Sequence, residues 1–139
     1  MYKIKTIKNI SEFLSEAEFS KKYPQFKELL SKDNCEWNQC FNYAFDNNNL
    51  EDCENAFNFL KNEYTETKKC KPGDIVLFFN QYDIPLHYAI LVKTHKNIND
   101  ISVKGKFGDR GVYQHKLRYT PVMYGNQVKF YTYKGLKND

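Results

Sequence analysis

The spacing of apolar residues changes near Gly73. Before this point apolar side chains recur every three or four residues, the period of a helix packed on one face. After it they alternate or run continuously, as in strands. The turn residues Lys71-Pro72-Gly73-Asp74 mark the change. Helices followed by strands predict an α+β fold, with N-terminal helices packed on a C-terminal antiparallel sheet of about five strands.

The helical part, residues 1 to about 66, opens with a weak edge-strand pattern. Two helices are predicted next: one from Ser11, with apolar Phe13, Leu14 and Ala17, and one from Pro24, with apolar Phe26, Leu29 and Leu30. A third, short helix begins near Asn38 and ends at Asp46–Asn49. A fourth begins at Leu50, with apolar Cys53, Ala56, Phe57 and Leu60 on one face and Asn48 and Glu51 as a capping pair. The strand-rich part, about 71–135, contains five predicted strands: Ile75–Phe79, His87–Thr94, Ile101–Lys106, Gly111–Leu117 and Val128–Tyr133.

The length and net charge of the chain limit the classes of protein to which it can belong. The chain has 139 residues, which is enough for one domain, 1–139, with its own core. A net charge of +4 is too small and dispersed to require a nucleic acid. No apolar run predicts a signal peptide or a membrane span. We therefore expect a cytoplasmic protein, or one exported by a signal-independent route, with no membrane partner and an oligomeric state that the sequence does not indicate.

Cys40 is the candidate nucleophile. With Asn38 as the N-cap, its thiol lies in the first turn of a helix, where free backbone N–H groups favour the thiolate. Cys35 competes, because Asn34 is an equally good cap. On one helix the two thiols would point about 140° apart and could not share a groove. The small Ala44, one turn after Cys40, favours Cys40 because it lets a strand approach closely.

The other cysteines favour neither catalysis nor a metal. Cys53 lies on the apolar face of its predicted helix, which indicates the core. Cys70 precedes a turn, and we expect it to have no role in catalysis. The spacing contains no C-x-x-C pair and no histidine at zinc-finger distance. We expect neither a metal nor a cofactor.

His87 opens a predicted strand and is the candidate base for a thiol nucleophile. A base needs a group that orients its other ring nitrogen. His115 is the preferred orienting residue, while Ser102 and Lys104 are alternatives on the preceding strand. His95 lies between lysines in a connection and is expected to be solvated.

The stretch Gly105-Lys106-Phe107-Gly108-Asp109-Arg110-Gly111 is rich in glycine. It lacks the Gly-Lys-Ser/Thr ending of a phosphate-binding loop and the strand-to-helix context. It is therefore read as a hairpin at the rim of the site. Its cations, with Lys104, would attract an acidic substrate.

These motifs resemble the papain-like cysteine peptidase superfamily in its small NlpC and CHAP branches. Three segments carry the resemblance in the family's order: Cys40-Phe41-Asn42-Tyr43-Ala44-Phe45, then Lys71-Pro72-Gly73-Asp74 with its strand, then His87-Tyr88-Ala89-Ile90-Leu91-Val92. The resemblance covers about residues 35–117. The family's Asp-Cys-Ser-Gly around the nucleophile is replaced here by Gln39-Cys40-Phe41-Asn42, and the third polar residue is not clearly placed.

The resemblance implies a cysteine peptidase or amidase acting on a peptide, protein or other amide. Cys40 would attack, His87 would transfer the proton and His115 would orient His87. Such a chain suits an intracellular or effector-type enzyme of a bacterium or phage. The altered neighbours of Cys40 keep a second hypothesis open, a catalytically inactive interaction or inhibitor module on the same fold.

Overall fold

The protein has a mixed α+β fold with a mostly antiparallel sheet and few helices. The computed structural model describes residues 1–8, 16–30, 39–107 and 111–135. Within these ranges there are three α-helices: α1 Glu16–Lys22, α2 Cys40–Phe45 and α3 Cys53–Glu63. None of them is long and apolar enough to cross a membrane.

The described strands are short at the N-terminus and longer after Gly73. They are β1 Tyr2–Lys3, β2 Thr6–Ile7, β3 Lys27–Leu30, β4 Tyr64–Thr67, β5 Ile75–Phe79, β6 Pro85–Lys93, β7 Ser102–Lys106, β8 Val112–Lys116, β9 Thr120–Pro121 and β10 Gln127–Tyr133. All five strands predicted after Gly73 are confirmed within about two residues (β5–β8 and β10).

Eight strands form the main sheet, in the order β1-β10-β5-β6-β7-β8-β3, with β4 also paired to β10. Strands β5 to β8 form an antiparallel meander, in which Phe78 pairs with His87 and Val103 pairs with His115. The last strand, β10, returns to lie between β1 and β5. The sheet is larger than predicted because strands of the N-terminal half extend both edges.

The N-terminal half is less helical than predicted. The helix expected after Pro24 is wrong, since residues 27–30 form strand β3 against β8. The expected edge strand is confirmed as β1. The predicted Asn48–Glu51 capping pair is also replaced. Asp52 is the N-cap of α3, and its carboxylate accepts from the Asn55 N–H at 2.8 Å.

Apolar side chains cover both faces of the main sheet. On one face, which we call the helix face, Leu77 and Tyr88 pack with residues of α2 and α3. On the other face, which we call the histidine face, Phe78 and Ala89 pack with Ile4 and Leu117. Every residue of β5 is buried. Because side chains alternate along a strand, neighbouring residues of β5 and β6 serve opposite faces.

Candidate functional site

Cys40 is the first residue of helix α2, as the sequence predicted. Gln39 is the N-cap, and its backbone N–H donates to Oδ1 of Asn42 at 3.1 Å. The predicted cap, Asn38, lies outside the described residues. The half-buried Cys40 packs in the helix-face cluster that includes Tyr88.

Burial raises the pKa of the Cys40 thiol to about 11. Backbone hydrogen bonds from Tyr88, Phe41 and Cys40 itself act in the opposite direction and are weaker in sum. The same burial, together with the nearby thiol, raises the pKa of Tyr88. The hydroxyl of Tyr88 is buried without a hydrogen-bond partner. A largely protonated thiol in such surroundings is a poor nucleophile.

His87 lies on the histidine face, among aromatic rings. Its side chain is only 1% exposed. The imidazole stacks on Tyr124 with ring centroids 4.2 Å apart, and it also contacts Phe78 at 5.2 Å and Phe107 at 6.0 Å. Among the described residues, Nε2 has no hydrogen-bond partner. Burial, and secondly the charge of His115, lower the pKa of His87 to about 3, so the ring is neutral.

His115 lies on the same face as His87. Its ring contacts Phe26 at 5.2 Å and Phe107 at 5.6 Å, so Phe107 touches both imidazoles. The Nδ1–H of His115 donates to the carbonyl oxygen of Lys116 at 2.7 Å. Because a carbonyl only accepts, this bond fixes the proton on Nδ1. Burial lowers the pKa of His115 to about 4 despite this bond.

The structure brings the two histidines together but separates them from Cys40. The thiol packs with Tyr88, whose side chain leaves β6 on the helix face. His87 is the preceding residue and contacts Phe78 on the histidine face. The sheet therefore lies between thiol and imidazole, and the predicted proton transfer has no direct path. Of the alternative orienting residues, Lys104 pairs with Ile90 on the helix face, and Ser102 pairs with Lys93 at the far end of β7.

The remaining candidate residues have varied positions. Cys35 lies outside the described residues. Cys53 is exposed at the start of α3, so its predicted core position is wrong, whereas Cys70 is half-buried. His95 is exposed, as predicted. Lys106 is buried at 3% exposure and does not form a charged rim.

No metal centre is found in the part of the chain that the structure describes. There, no three or more His, Cys, Asp or Glu side chains lie close enough together to hold a metal ion.

An exposed apolar surface at one end of the sheet was not foreseen from the sequence. We call it the sheet-end surface. Its members are the exposed large hydrophobic side chains of the β5–β6 hairpin and of the turn before β10: Tyr82, Ile84, Leu86, Val122 and Met123. Tyr82 is 73% exposed and Ile84 52%. The available signal was a hairpin connection that carries the large apolar residues Tyr82 and Ile84 among polar ones.

Two contacts join the two segments of the sheet-end surface. The side-chain amide of Gln127 donates to the carbonyl of Asn80 at 2.9 Å. Gly125 lies so close to the Phe79 carbonyl that a Cβ there would overlap it. The hairpin and the 122–124 turn are therefore held side by side.

Searches of protein-family models, curated proteins and solved structures find no match to this chain.

Proposed function

We propose that this chain is a non-catalytic interaction module that binds a protein partner through the sheet-end surface. The observation that carries this proposal is the separation of Cys40 from His87 by the sheet. A thiol whose pKa is raised to about 11, and a base whose pKa is lowered to about 3, both oppose thiol catalysis near neutral pH.

The chemistry of the surface favours a protein over other partners. Residues 75–92 carry one charged side chain, Asp83, and residues 119–128 carry none, in a chain that is 27% charged. Depletion of charge with enrichment of Tyr and Met is typical of the core of protein interfaces. Phosphate groups of nucleic acids or lipids would need Lys or Arg, which both segments lack. The expected partner therefore presents an apolar, weakly charged protein surface.

The scaffold proposed for this module is a papain-like arrangement of the NlpC and CHAP type. Its support is the order of parts, in which a helix opened by Cys40 precedes the turn at Gly73 and the β5–β8 meander. The placement of α2 on the face opposite His87 differs from what that resemblance implies for a catalytic site.

The test compares binding by three purified full-length chains: wild type, the double variant Tyr82→Ser/Ile84→Ser, and the control Tyr133→Ser. Tyr133 is 43% exposed and lies at the far end of β10. Proteins captured from the source cell are purified and titrated against each chain by calorimetry. We expect a partner whose affinity falls at least about tenfold with the double variant and is unchanged with the control. Equal affinity for all three chains would disprove binding at this surface.

The second candidate is a cysteine hydrolase that uses Cys40. It is favoured by the position of Cys40 at the start of α2 and by the backbone hydrogen bonds that lower the pKa of its thiol. His87 and His115 would have to reach the helix face for this chemistry. Hydrolysis of peptide or amide substrates that is lost in Cys40→Ser, and equally in His87→Gln, would support it.

A further inference from the structure

The histidine face contains two buried imidazoles that share one aromatic cage. His87 stacks on Tyr124, and Phe107 contacts His87, His115 and Tyr124 with centroid distances of 6.0, 5.6 and 5.5 Å. A neutral imidazole packs in such a cage as an aromatic ring. A protonated imidazole would need water or a counter-charge.

No counter-charge faces these rings within the described residues. Strand β5 contributes Phe78, and the loop before β3 contributes Phe26. Strand β7 and the residue after it contribute Gly105 and Phe107, with a Cβ built at Gly105 lying 3.2 Å from His87 Nε2. Among the described residues, the titratable groups packed around this cage are the two histidines and four phenols, those of Tyr23, Tyr113, Tyr119 and Tyr124. Protonating one imidazole therefore adds an uncompensated charge, and protonating both adds repulsion.

A carboxylate on the neighbouring elements, that of Asp100, is engaged elsewhere. Asp100 accepts from Arg118 Nε at 2.8 Å and lies 3.8 Å from Lys116 Nζ. Both of those cations follow His115 on the chain. Asp100 is therefore already held by two positive charges and is a poor counter-ion for His115.

Tyr124 belongs to the 119–125 segment, which lies outside the paired strands of the main sheet. His87, Phe78 and His115 belong to paired strands of the main sheet. The segment is held by a two-residue parallel pairing of Thr120 and Pro121 with β2, by the contacts of Tyr124 with His87 and Phe107, and by the close approach of Gly125 to Phe79. The hydroxyl of Thr120 is buried without a hydrogen-bond partner. Opening this segment would hydrate the imidazoles without breaking the meander.

We propose that the stack of His87 on Tyr124 is an acid-sensitive latch, and that protonation of the buried histidine pair releases the 119–125 segment from the sheet. This inference is independent of any binding partner. The released segment would carry Val122 and Met123 with it, so the sheet-end surface would be remodelled at acidic pH.

Amide hydrogen exchange read by mass spectrometry, expressed as protection factors at pH 7.5 and pH 5.0, tests the latch. We expect the protection of residues 119–125 to lie below that of β5 at both pH values, with a difference of at least about tenfold between pH 7.5 and pH 5.0. His87→Phe keeps an aromatic ring on Tyr124 without a titratable nitrogen, so it should reduce the difference to the part that His115 alone contributes. His95→Gln removes an exposed histidine and should leave the difference unchanged.

Two results would overturn the latch. One is a protection of residues 119–125 that equals that of β5 at both pH values, which would show that the segment opens only by global unfolding. The other is a wild-type response in His87→Phe. If His87→Phe does not fold, Tyr124→Leu replaces it and should make residues 119–125 exchange rapidly at pH 7.5. Slow, pH-dependent exchange in Tyr124→Leu would equally reject the stack as the latch.

Discussion

Cys40 and His87 lie on opposite faces of the same sheet. The thiol packs with Tyr88 on the helix face, and the imidazole of the preceding residue stacks on Tyr124 on the other face. Each group is in the protonation state that burial favours, a neutral thiol and a neutral imidazole. An activated pair would have the thiolate and the imidazolium in contact, which is the reverse of this arrangement.

The first prediction concerns cysteine reactivity. A rise of the thiol pKa from 9.0 to about 11 lowers the thiolate fraction of Cys40 about 100-fold. We expect iodoacetamide at pH 7.5 to modify the exposed Cys53 at least that much faster than Cys40, as measured by peptide mass spectrometry over time. Cys70→Ser is the control, since Cys70 is not among the groups that act on the Cys40 thiol and its loss should leave the slow rate of Cys40 unchanged. Preferential labelling of Cys40 would instead favour the hydrolase.

The placement of Cys40 and His87 on opposite faces of the sheet could not be predicted from the sequence, although the strands themselves could. Residues 75–79 are apolar throughout and buried on both faces, so their pattern does not indicate which face receives helix α2. A bulge opposite Phe78 and Phe79 adds a further shift of register beside His87. The order Cys40, Gly73, His87 thus predicted the elements but not the side of the sheet on which each side chain lies.

Strand β3 was missed for a related reason. Phe26, Leu29 and Leu30 stand at i, i+3 and i+4, which is the spacing of a helix, but a run this short is a weak signal. Its pairing with β8, for example Lys27 with Gln114, joins residues far apart in the chain. Tertiary pairing therefore decided the conformation of this segment, and local spacing carried no signal for it.

The second prediction concerns stability against pH. The pKa values of His87 and His115 are lowered to about 3 and about 4 in the folded chain, below the ordinary 6.5. Between these values and pH 6.5 the unfolded chain binds more protons, so the free energy of unfolding falls as the pH falls. By pH 5 the loss should be about 2 kcal/mol for each histidine, relative to pH 7.5.

Urea unfolding at pH 7.5 and pH 5.0 measures this loss. His95→Gln should retain it, because that histidine is exposed. His115→Phe should remove about half of it. An equal loss in wild type and in a His87→Phe/His115→Phe chain would show that other groups cause the pH dependence.

The third prediction concerns Asn42, a buried polar residue of α2. Its side chain donates to the carbonyls of Asn47 and Leu50, both at 2.9 Å, and accepts from the Gln39 N–H at 3.1 Å. Asn42→Ala leaves these three backbone groups without their partner and should lower the free energy of unfolding by about 2–4 kcal/mol. Asn49→Ala, in the loop that Asn42 contacts but exposed, should cost less than about 1 kcal/mol. Equal costs in denaturant titrations would refute this role of Asn42.

The fourth prediction compares two glycines of positive φ. Gly73 has φ +94° with no atom within 4 Å of an added Cβ, whereas Gly125 has φ +98° and an added Cβ would overlap the Phe79 carbonyl. Gly73→Ala should therefore lower the free energy of unfolding only by the cost of holding alanine at a positive φ, about 1–3 kcal/mol. Gly125→Ala adds the steric cost of pushing the 122–124 turn away from the hairpin, about 1–3 kcal/mol more. Thermal and urea unfolding of the two single variants measure the difference. Equal stabilities would mean that the turn moves freely against Phe79, and the sheet-end surface would then not be a fixed pair of segments.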